Sequence, residues 1–68
     1  MDIKLLYKLS PNYIAFLQFI FHSYDNLAVF STVDSTQGII QLITDSKNIN
    51  DVENIITDLS KKITIVKL

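Results

Sequence analysis

Apolar and polar residues alternate along the first part of the chain. The odd positions from 3 to 9 are all apolar, whereas two of the three even positions between them are lysine. Period-two alternation is typical of a β-strand with one buried face. The pattern therefore predicts a first strand over residues 3–9, with the odd side chains in the core and Lys4, Leu6 and Lys8 on the opposite face.

Helical spacing replaces this alternation after Ser10. Serine is a favoured residue before a helix, and Pro11 suits the first helical position, where its missing N–H would have no partner. The spacing predicts a helix over residues 11–24, which ends where Asp25 and Asn26 favour a turn. At 100° per residue, one face collects these apolar residues for the core: Tyr13, Ile14, Leu17, Ile20, Phe21 and Tyr24.

The opposite side of this helix is predicted to face water. It carries Ala15, Gln18 and His22, with Phe16 on the boundary between the two sides. Phe19 lies near the polar side, where packing in the core does not explain it.

A β-hairpin is predicted next, with strands over residues 27–33 and 39–44. Both segments are rich in β-branched and aromatic residues, and residues 34–38 form a polar loop in which Gly38 supplies a positive φ. If Val33 lies opposite Ile39, Val29 lies opposite Ile43. The more apolar face of the hairpin is assigned to the core, and it carries Ala28, Phe30, Ile40 and Leu42.

A second amphipathic helix and a last strand complete the pattern. Apolar residues recur at positions 52, 55, 56 and 59, the i, i+3, i+4, i+7 spacing of one helical face. Asn50 and Glu53 fit a capping box, so the helix is predicted over residues 51–61. Residues 63–68 are again rich in β-branched residues and predict the fourth strand.

The resulting order, β-α-β-β-α-β, predicts an α+β sandwich of the ferredoxin-like type. Each helix then connects two strands by a right-handed crossover. We expect a four-stranded antiparallel sheet in the order 4-1-3-2, with both helices on one face, and a single domain over residues 1–68.

The sheet face that neither helix covers is predicted to be unusually apolar. An exposed antiparallel face normally alternates to polar residues, and a contiguous apolar patch usually marks an interface, although isolated surface aliphatic residues are common. The second strand also has a free edge without Lys or Pro. The predicted interface residues are Leu6, Leu27, Val29, Val33, Ile39 and Ile43, together with Phe19 on the first helix.

Composition and charge exclude several classes of function. The 68 residues carry a net charge of −1, no Cys and one His, and all six basic residues are lysine. Without Cys there is no disulfide, thiolate zinc site or iron–sulfur cluster, and a single His cannot form a multi-histidine metal site. The near-neutral charge argues against nucleic-acid binding. We therefore expect no cofactor, no metal and no nucleic-acid partner.

The N-terminal segment lacks the features of a secretory signal, and the apolar runs are shorter than the roughly 20 residues that span a bilayer. We therefore expect a cytoplasmic chain without a membrane partner.

The residues that could support catalysis are sparse. His22 is the only residue that ordinarily titrates near neutral pH, and adjacent helical positions diverge by about 100°, so Ser23 is not posed as its nucleophile. An enzyme built on His22 and a nearby aspartate such as Asp25 is the least favoured hypothesis. The other aspartates are predicted in turns, caps and a polar helix face: Asp34, Asp45, Asp51 and Asp58. The sequence predicts a protein that is not an enzyme.

Three short segments carry a resemblance to known domains. Residues 23–29, residues 32–34 and the pair Gly38-Ile39 resemble a small bacterial domain family of unknown function. The pattern is also similar to ACT-type regulatory domains, which hold an amino-acid effector at the turn after the first strand, often beside a glycine. Here that turn is Ser10-Pro11-Asn12, without glycine.

Two functional hypotheses follow. The first is a non-enzymatic oligomerisation or interaction module of regulatory type, which forms a homodimer or binds an unidentified protein. The alternative, implied by the ACT resemblance, is a sensor of an amino acid or metabolite. Its ligand would bind at a subunit interface near Ser10, Asn12 and the edge of the second strand.

Overall fold

A computed structural model describes residues 2–24 and 26–68 of the chain. It has an α+β fold, with a four-stranded antiparallel sheet and two helices in the predicted element order. The elements are β1 (Asp2–Leu9), a 3₁₀ turn (Pro11–Tyr13), α1 (Ile14–His22), β2 (Val29–Asp34), β3 (Ile39–Asp45), α2 (Ile49–Leu59) and β4 (Ile65–Lys67).

The strands lie in the order β2-β3-β1-β4, and each neighbouring pair is antiparallel. Read from the β4 edge, this order is 4-1-3-2, so each strand has the neighbours predicted for it. Within the hairpin, Val29 lies opposite Ile43 and Ser31 opposite Gln41, which confirms most of the predicted register.

The register prediction at the end of the hairpin was wrong. Asp34, not Val33, lies opposite Ile39, and a β-bulge separates Thr32 from Asp34. The Asp34 carboxylate accepts hydrogen bonds from the backbone N–H of Thr36 at 3.0 Å and from that of Gln37 at 3.1 Å. These bonds draw the loop tight around Asp34, so that Val33 becomes the extra residue of the bulge.

One buried cluster joins the sheet to both helices, which therefore lie on the same face. The odd positions of β1 and the even positions of β3 supply its floor, in agreement with the predicted alternation. Two residues of each helix complete it. The buried apolar residues are Leu5, Tyr7, Leu9, Leu17, Phe21, Ile40, Leu42, Val52 and Ile56.

The predicted core face of the first helix was only partly correct. Leu17 and Phe21 are buried, but Tyr13 is 43% exposed and Tyr24 is 47% exposed. Tyr13 ends the 3₁₀ turn, which has about 3.0 residues per turn and so departs from the 100° projection of an α-helix. Tyr24 follows the end of α1 at His22 and no longer belongs to its helical face. Asp25, the other predicted helix-ending residue, lies outside the described residues, and Asn26 has a φ of 60°.

The predicted start of the second helix was also wrong. The residue before α2 is Asn48, so Asn50 lies inside the helix and does not cap it. The Asp45 carboxylate accepts hydrogen bonds from the backbone N–H groups of Lys47 and Asn48, both at 3.1 Å, and this turn leads into the helix. Glu53 is not part of a capping box. Its carboxylate pairs with the Lys67 ammonium of β4 at 3.2 Å.

Gly38 closes the hairpin loop against the end of β1. Its φ is +73°, as predicted, and its carbonyl accepts a hydrogen bond of 2.9 Å from the backbone N–H of Leu9. A Cβ at this position would overlap the carbonyl oxygen of Leu9 and approach the nitrogen of Pro11. The position therefore requires glycine for both its conformation and the close approach of two backbones.

We expect Leu17→Ala to lower the free energy of unfolding by about 2–5 kcal/mol, because it leaves a cavity in the core. Leu17 is 0% exposed, whereas Phe19 is 69% exposed on the same helix. Phe19→Ala is the matched control and should cost much less. Chemical denaturation of both variants checks the prediction, and an equal or larger loss for Phe19→Ala would contradict it.

We expect Gly38→Ala to lower the free energy of unfolding by about 2 kcal/mol or more. The left-handed conformation alone costs a residue with a side chain about 1–2 kcal/mol, and the overlap with Leu9 adds to this. Gln37→Ala changes the neighbouring loop residue without either penalty and serves as the control. Urea denaturation would contradict the prediction if the two variants lost similar stability.

Candidate interface on the uncovered sheet face

The sheet face opposite the helices, called here the uncovered face, carries an apolar surface bounded by charges. On this face, residues of β1 lie beside residues of β3: Lys4 beside Ile43, Leu6 beside Gln41 and Lys8 beside Ile39. The outward side chains of the four strands, with Leu68 directly after β4, are Asp2, Lys4, Leu6, Lys8, Val29, Ser31, Asp34, Ile39, Gln41, Ile43, Asp45, Val66 and Leu68.

Several predicted interface residues lie together on this face. Val29 is 64% exposed and Leu6 is 38% exposed. Ile39 and Ile43, on the central strand β3, are half-buried between their neighbours. These four residues form an apolar surface that spans three strands.

The fourth strand and the residue after it add two apolar residues that were not among the predicted interface residues. Val66 lies opposite Lys8, and the backbone N–H of Leu68 donates a hydrogen bond of 2.9 Å to the carbonyl of Leu6. Both side chains are more than half exposed. The register of β4 against β1 assigns residues 66 and 68 to this face, and the apolar run that contains them does not reveal that register.

Three predicted interface residues occupy other places. Leu27 precedes β2 and packs against the core, and its carbonyl accepts a hydrogen bond of 2.8 Å from the Thr44 hydroxyl. Phe19 is strongly exposed, but it belongs to α1 on the helical side of the sheet. Val33 is exposed, but the bulge removes it from the ladder of paired residues.

The free edge of β2 is also less regular than the sequence predicts. The bulge interrupts the strand between Thr32 and Asp34, in the last half of β2. Bulges twist an edge and hinder its pairing with another strand. The regular part of the edge is limited to residues 29–32, which favours the face over the edge as the contact surface.

Charges on the uncovered face are ordered along the strands. Asp2 lies directly opposite Asp45 at one end of the β1–β3 pair. Lys4 follows one row further along, and Lys8 lies at the other end, between Ile39 and Val66. The face is therefore acidic at the Asp2 end, whereas the row at the other end carries Lys8 on β1 and Asp34 on β2, on either side of Ile39. The rows between these ends hold both apolar and polar residues.

The loop after β1, where a ligand is predicted to bind, is held by backbone hydrogen bonds. The Ser10 carbonyl accepts a hydrogen bond of 2.9 Å from the Tyr13 N–H, and the Ser10 side chain makes no capping hydrogen bond. Asn12 is exposed in the 3₁₀ turn. Gly38 lies beside this turn in space, although it comes from the hairpin loop, and the Leu9 carbonyl fills the room that its missing side chain leaves.

A cleft of about 390 Å³ opens at the far end of the sheet from that loop. Neither Ser10 nor Asn12 borders it. It adjoins the acidic end of the uncovered face, because Asp2, Val29 and Ile43 all contribute to its wall. The lining residues are Asp2, Asn26, Leu27, Ala28, Val29, Ile43, Thr44, Asp45 and Asn48.

Of the residues considered for catalysis, His22 and Ser23 lie in the described part of the chain, whereas Asp25 lies outside it. The Ser23 hydroxyl donates a hydrogen bond of 2.9 Å to the Phe19 carbonyl, and His22 is exposed at the end of α1. Across residues 2–24 and 26–68, no three His, Asp or Glu side chains are grouped to hold a metal. In the same ranges, neither helix has the length and apolar content to cross a bilayer.

Tyr7 is a buried titratable residue beside the only ion pair that joins β4 to α2 in the described part of the chain. Burial raises the pKa of its phenol, and the charge of Glu53 acts in the same direction, whereas Lys67 lowers it. The Lys67–Glu53 pair is about half exposed, so it contributes little to stability. The pair thus links β4 to α2 beside the buried Tyr7.

Asp34 gives the hairpin a pH dependence with a defined sign. Hydrogen bonds from the Thr36 hydroxyl and from backbone N–H groups hold the pKa of the Asp34 carboxyl below its usual 3.8. A lowered folded-state pKa stabilises the protein above the unfolded-state value. That contribution is lost as the pH falls below about 4, through the folded-state pKa.

We expect Asp34→Asn to reduce the loss of stability between about pH 5 and about pH 2, because asparagine keeps an acceptor oxygen but does not titrate. Asp58→Asn, in an exposed pair with Lys61, is the control and should retain the wild-type acid slope. Thermal unfolding measured across this pH range would contradict the prediction if Asp34→Asn and wild type had the same slope.

Comparison with known proteins gives one match. The sequence model of a family described as a domain of unknown function (DUF4911) matches residues 7–63, which run from β1 to the residues before β4. Neither the curated proteins nor the solved structures contain a match.

Proposed function

The chain belongs to the DUF4911 family of domains of unknown function, and we propose that it is a non-enzymatic interaction module that forms a homodimer through the uncovered face. The observation that carries this proposal is the apolar surface that neither helix covers. Val29, Val66 and Leu68 are each more than half exposed on it, with Leu6, Ile39 and Ile43 between them.

The fold supports this proposal through its one-sided architecture, which we assign to the ferredoxin-like class with an ACT-like arrangement. The assignment rests on the β-α-β-β-α-β order and on β1 and β3 as the central strands. Both helices cover the same face of the sheet. A second copy would cover the uncovered face, because its own uncovered face is equally apolar.

The size of the face limits the strength of the dimer. Four strands spaced about 4.8 Å apart and about 20 Å long give a footprint of roughly 400 Å² per copy. Specific interfaces usually bury at least about 1,200 Å² in total, counted over both corrugated surfaces. Two footprints give roughly 800 Å², which is below this range and typical of weak, transient complexes, so we expect the pair to dissociate at micromolar concentrations.

We expect the mass of the wild-type chain, measured by light scattering over a concentration series, to rise from 7.8 kDa toward twice that value. Val29→Asp should remove this rise, because dimerisation would bury an unpaired charge. Phe19→Asp, an equally exposed position on the helical side, should leave it unchanged.

A wild-type mass that stays near 7.8 kDa at about 100 µM, well above a micromolar dissociation constant, would overturn the dimer. Loss of the dimer in Phe19→Asp but not in Val29→Asp would move the interface to α1. Circular dichroism of each variant checks that the fold is intact.

The alternative function is a sensor of an amino acid or metabolite at the subunit interface. It is favoured by the cleft of about 390 Å³ that borders the uncovered face, and not by the predicted loop at Ser10 and Asn12. A ligand that binds only the folded state must raise the melting temperature. A melting screen with amino acids and nucleotides supports the sensor if a compound raises the melting temperature of wild type but not that of Asn48→Ala in the cleft wall.

A further inference from the structure

The charges of the uncovered face point to one relative orientation of the two copies. We infer that they pack face to face with their strands antiparallel across the interface, so that Lys8 of each copy lies over Asp2 of the other. This inference rests on the proposed dimer and adds its geometry. It commits the surface to a second copy of the same chain.

The first step is the spacing of the charges. Asp2 and Lys8 lie on the same strand and the same face, six residues apart, which is about 20 Å at the rise of a β-strand. Asp45 adds a second carboxylate directly beside Asp2. The direct neighbours of Lys8 are Ile39 and Val66, and the one carboxylate in its row, that of Asp34, lies on β2 beyond Ile39. The two ends of β1 therefore carry opposite charge.

The second step is the symmetry of a homodimer. Two identical faces in contact are related by a two-fold axis that lies in the plane between them. An axis parallel to the strands places like ends together, so that the Asp2 and Asp45 carboxylates of one copy face those of the other. An axis perpendicular to the strands reverses the ends and places Asp2 of each copy over Lys8 of the other.

The third step is the location of these charges within the patch. Asp2 and Lys8 lie at the ends of the face, at the rim of the contact, and the exposed apolar residues lie between and beside them. Rim charges contribute little affinity, but like charges brought together at a rim disfavour an arrangement strongly enough to select its orientation. The aliphatic part of Lys4 can cover apolar surface while its ammonium reaches solvent.

Charge reversal tests this orientation. Lys8→Glu should place acidic groups against acidic groups, and Asp2→Lys should place basic groups against basic groups. We expect each variant alone to dimerise at least about tenfold more weakly than wild type. An equimolar mixture should form a heterodimer of near wild-type affinity. In it, the glutamate introduced by Lys8→Glu faces the lysine introduced by Asp2→Lys, and the second contact is the native pair of Asp2 and Lys8.

The control variant has the same net charge as Lys8→Glu, but its substitution lies far from the uncovered face. Lys62→Glu changes the charge by the same amount on the exposed segment after α2. Lys62→Glu alone should dimerise like wild type, and its mixture with Asp2→Lys should show no restoration. Sedimentation with one variant fluorescently labelled reports the heterodimer directly, and about 500 mM salt should weaken the difference between the mixtures by screening.

The outcomes separate the orientation from the dimer itself. If wild type dimerises but the Lys8→Glu and Asp2→Lys mixture is no stronger than either variant alone, the antiparallel orientation is wrong and the dimer stands. Wild-type affinity in both single variants would also overturn the orientation. If wild type stays monomeric throughout the series, the proposed function fails, and the orientation fails with it.

Discussion

The coverage of only one face of the sheet is the constraint on which the rest of the structure depends. Alternation along β1 and β3 sends one set of side chains to each face, and the two short helices can pack on only one of them. The buried cluster around Leu17, Phe21 and Ile40 contains the buried residues of both helices. The same alternation that builds the core therefore leaves Leu6, Val29 and their neighbours without cover.

Most of the fold could be predicted from the spacing of apolar residues and from the turn-forming residues, because these signals are local. The odd positions of β1, the spacing of Val52 and Ile56, and the positive φ of Gly38 all appear in the sequence as patterns within a few residues. The strand order then follows from the connections. Errors arise where a local hydrogen bond competes with the pattern: the Asp34 carboxylate tightens the loop and displaces Val33, and the Asp45 carboxylate leads into α2 ahead of Asn50.

The candidate interface was less predictable, because it depends on where strands begin and end. Leu27 has the right parity for the uncovered face, but β2 begins only at Val29, and the chain before it turns toward the core. Conversely, Val66 and Leu68 reach the face only because β4 pairs with β1 in a particular register. Alternation alone cannot supply that register, since a shift of one residue sends every side chain to the other face.

The charges and the bulge both restrict how a second copy can approach the sheet. The bulge at Val33 makes the β2 edge irregular, which disfavours extension of the sheet through strand pairing. The dimer that we propose is therefore face to face, and in it the neighbouring carboxylates of Asp2 and Asp45 would disfavour alignment of like ends. Apolar area alone would permit several arrangements. In the dimer that we propose, the interrupted edge and the opposite charges at the two ends of β1 favour one of them, with hydrophobic burial as the source of affinity and the rim charges as the source of orientation.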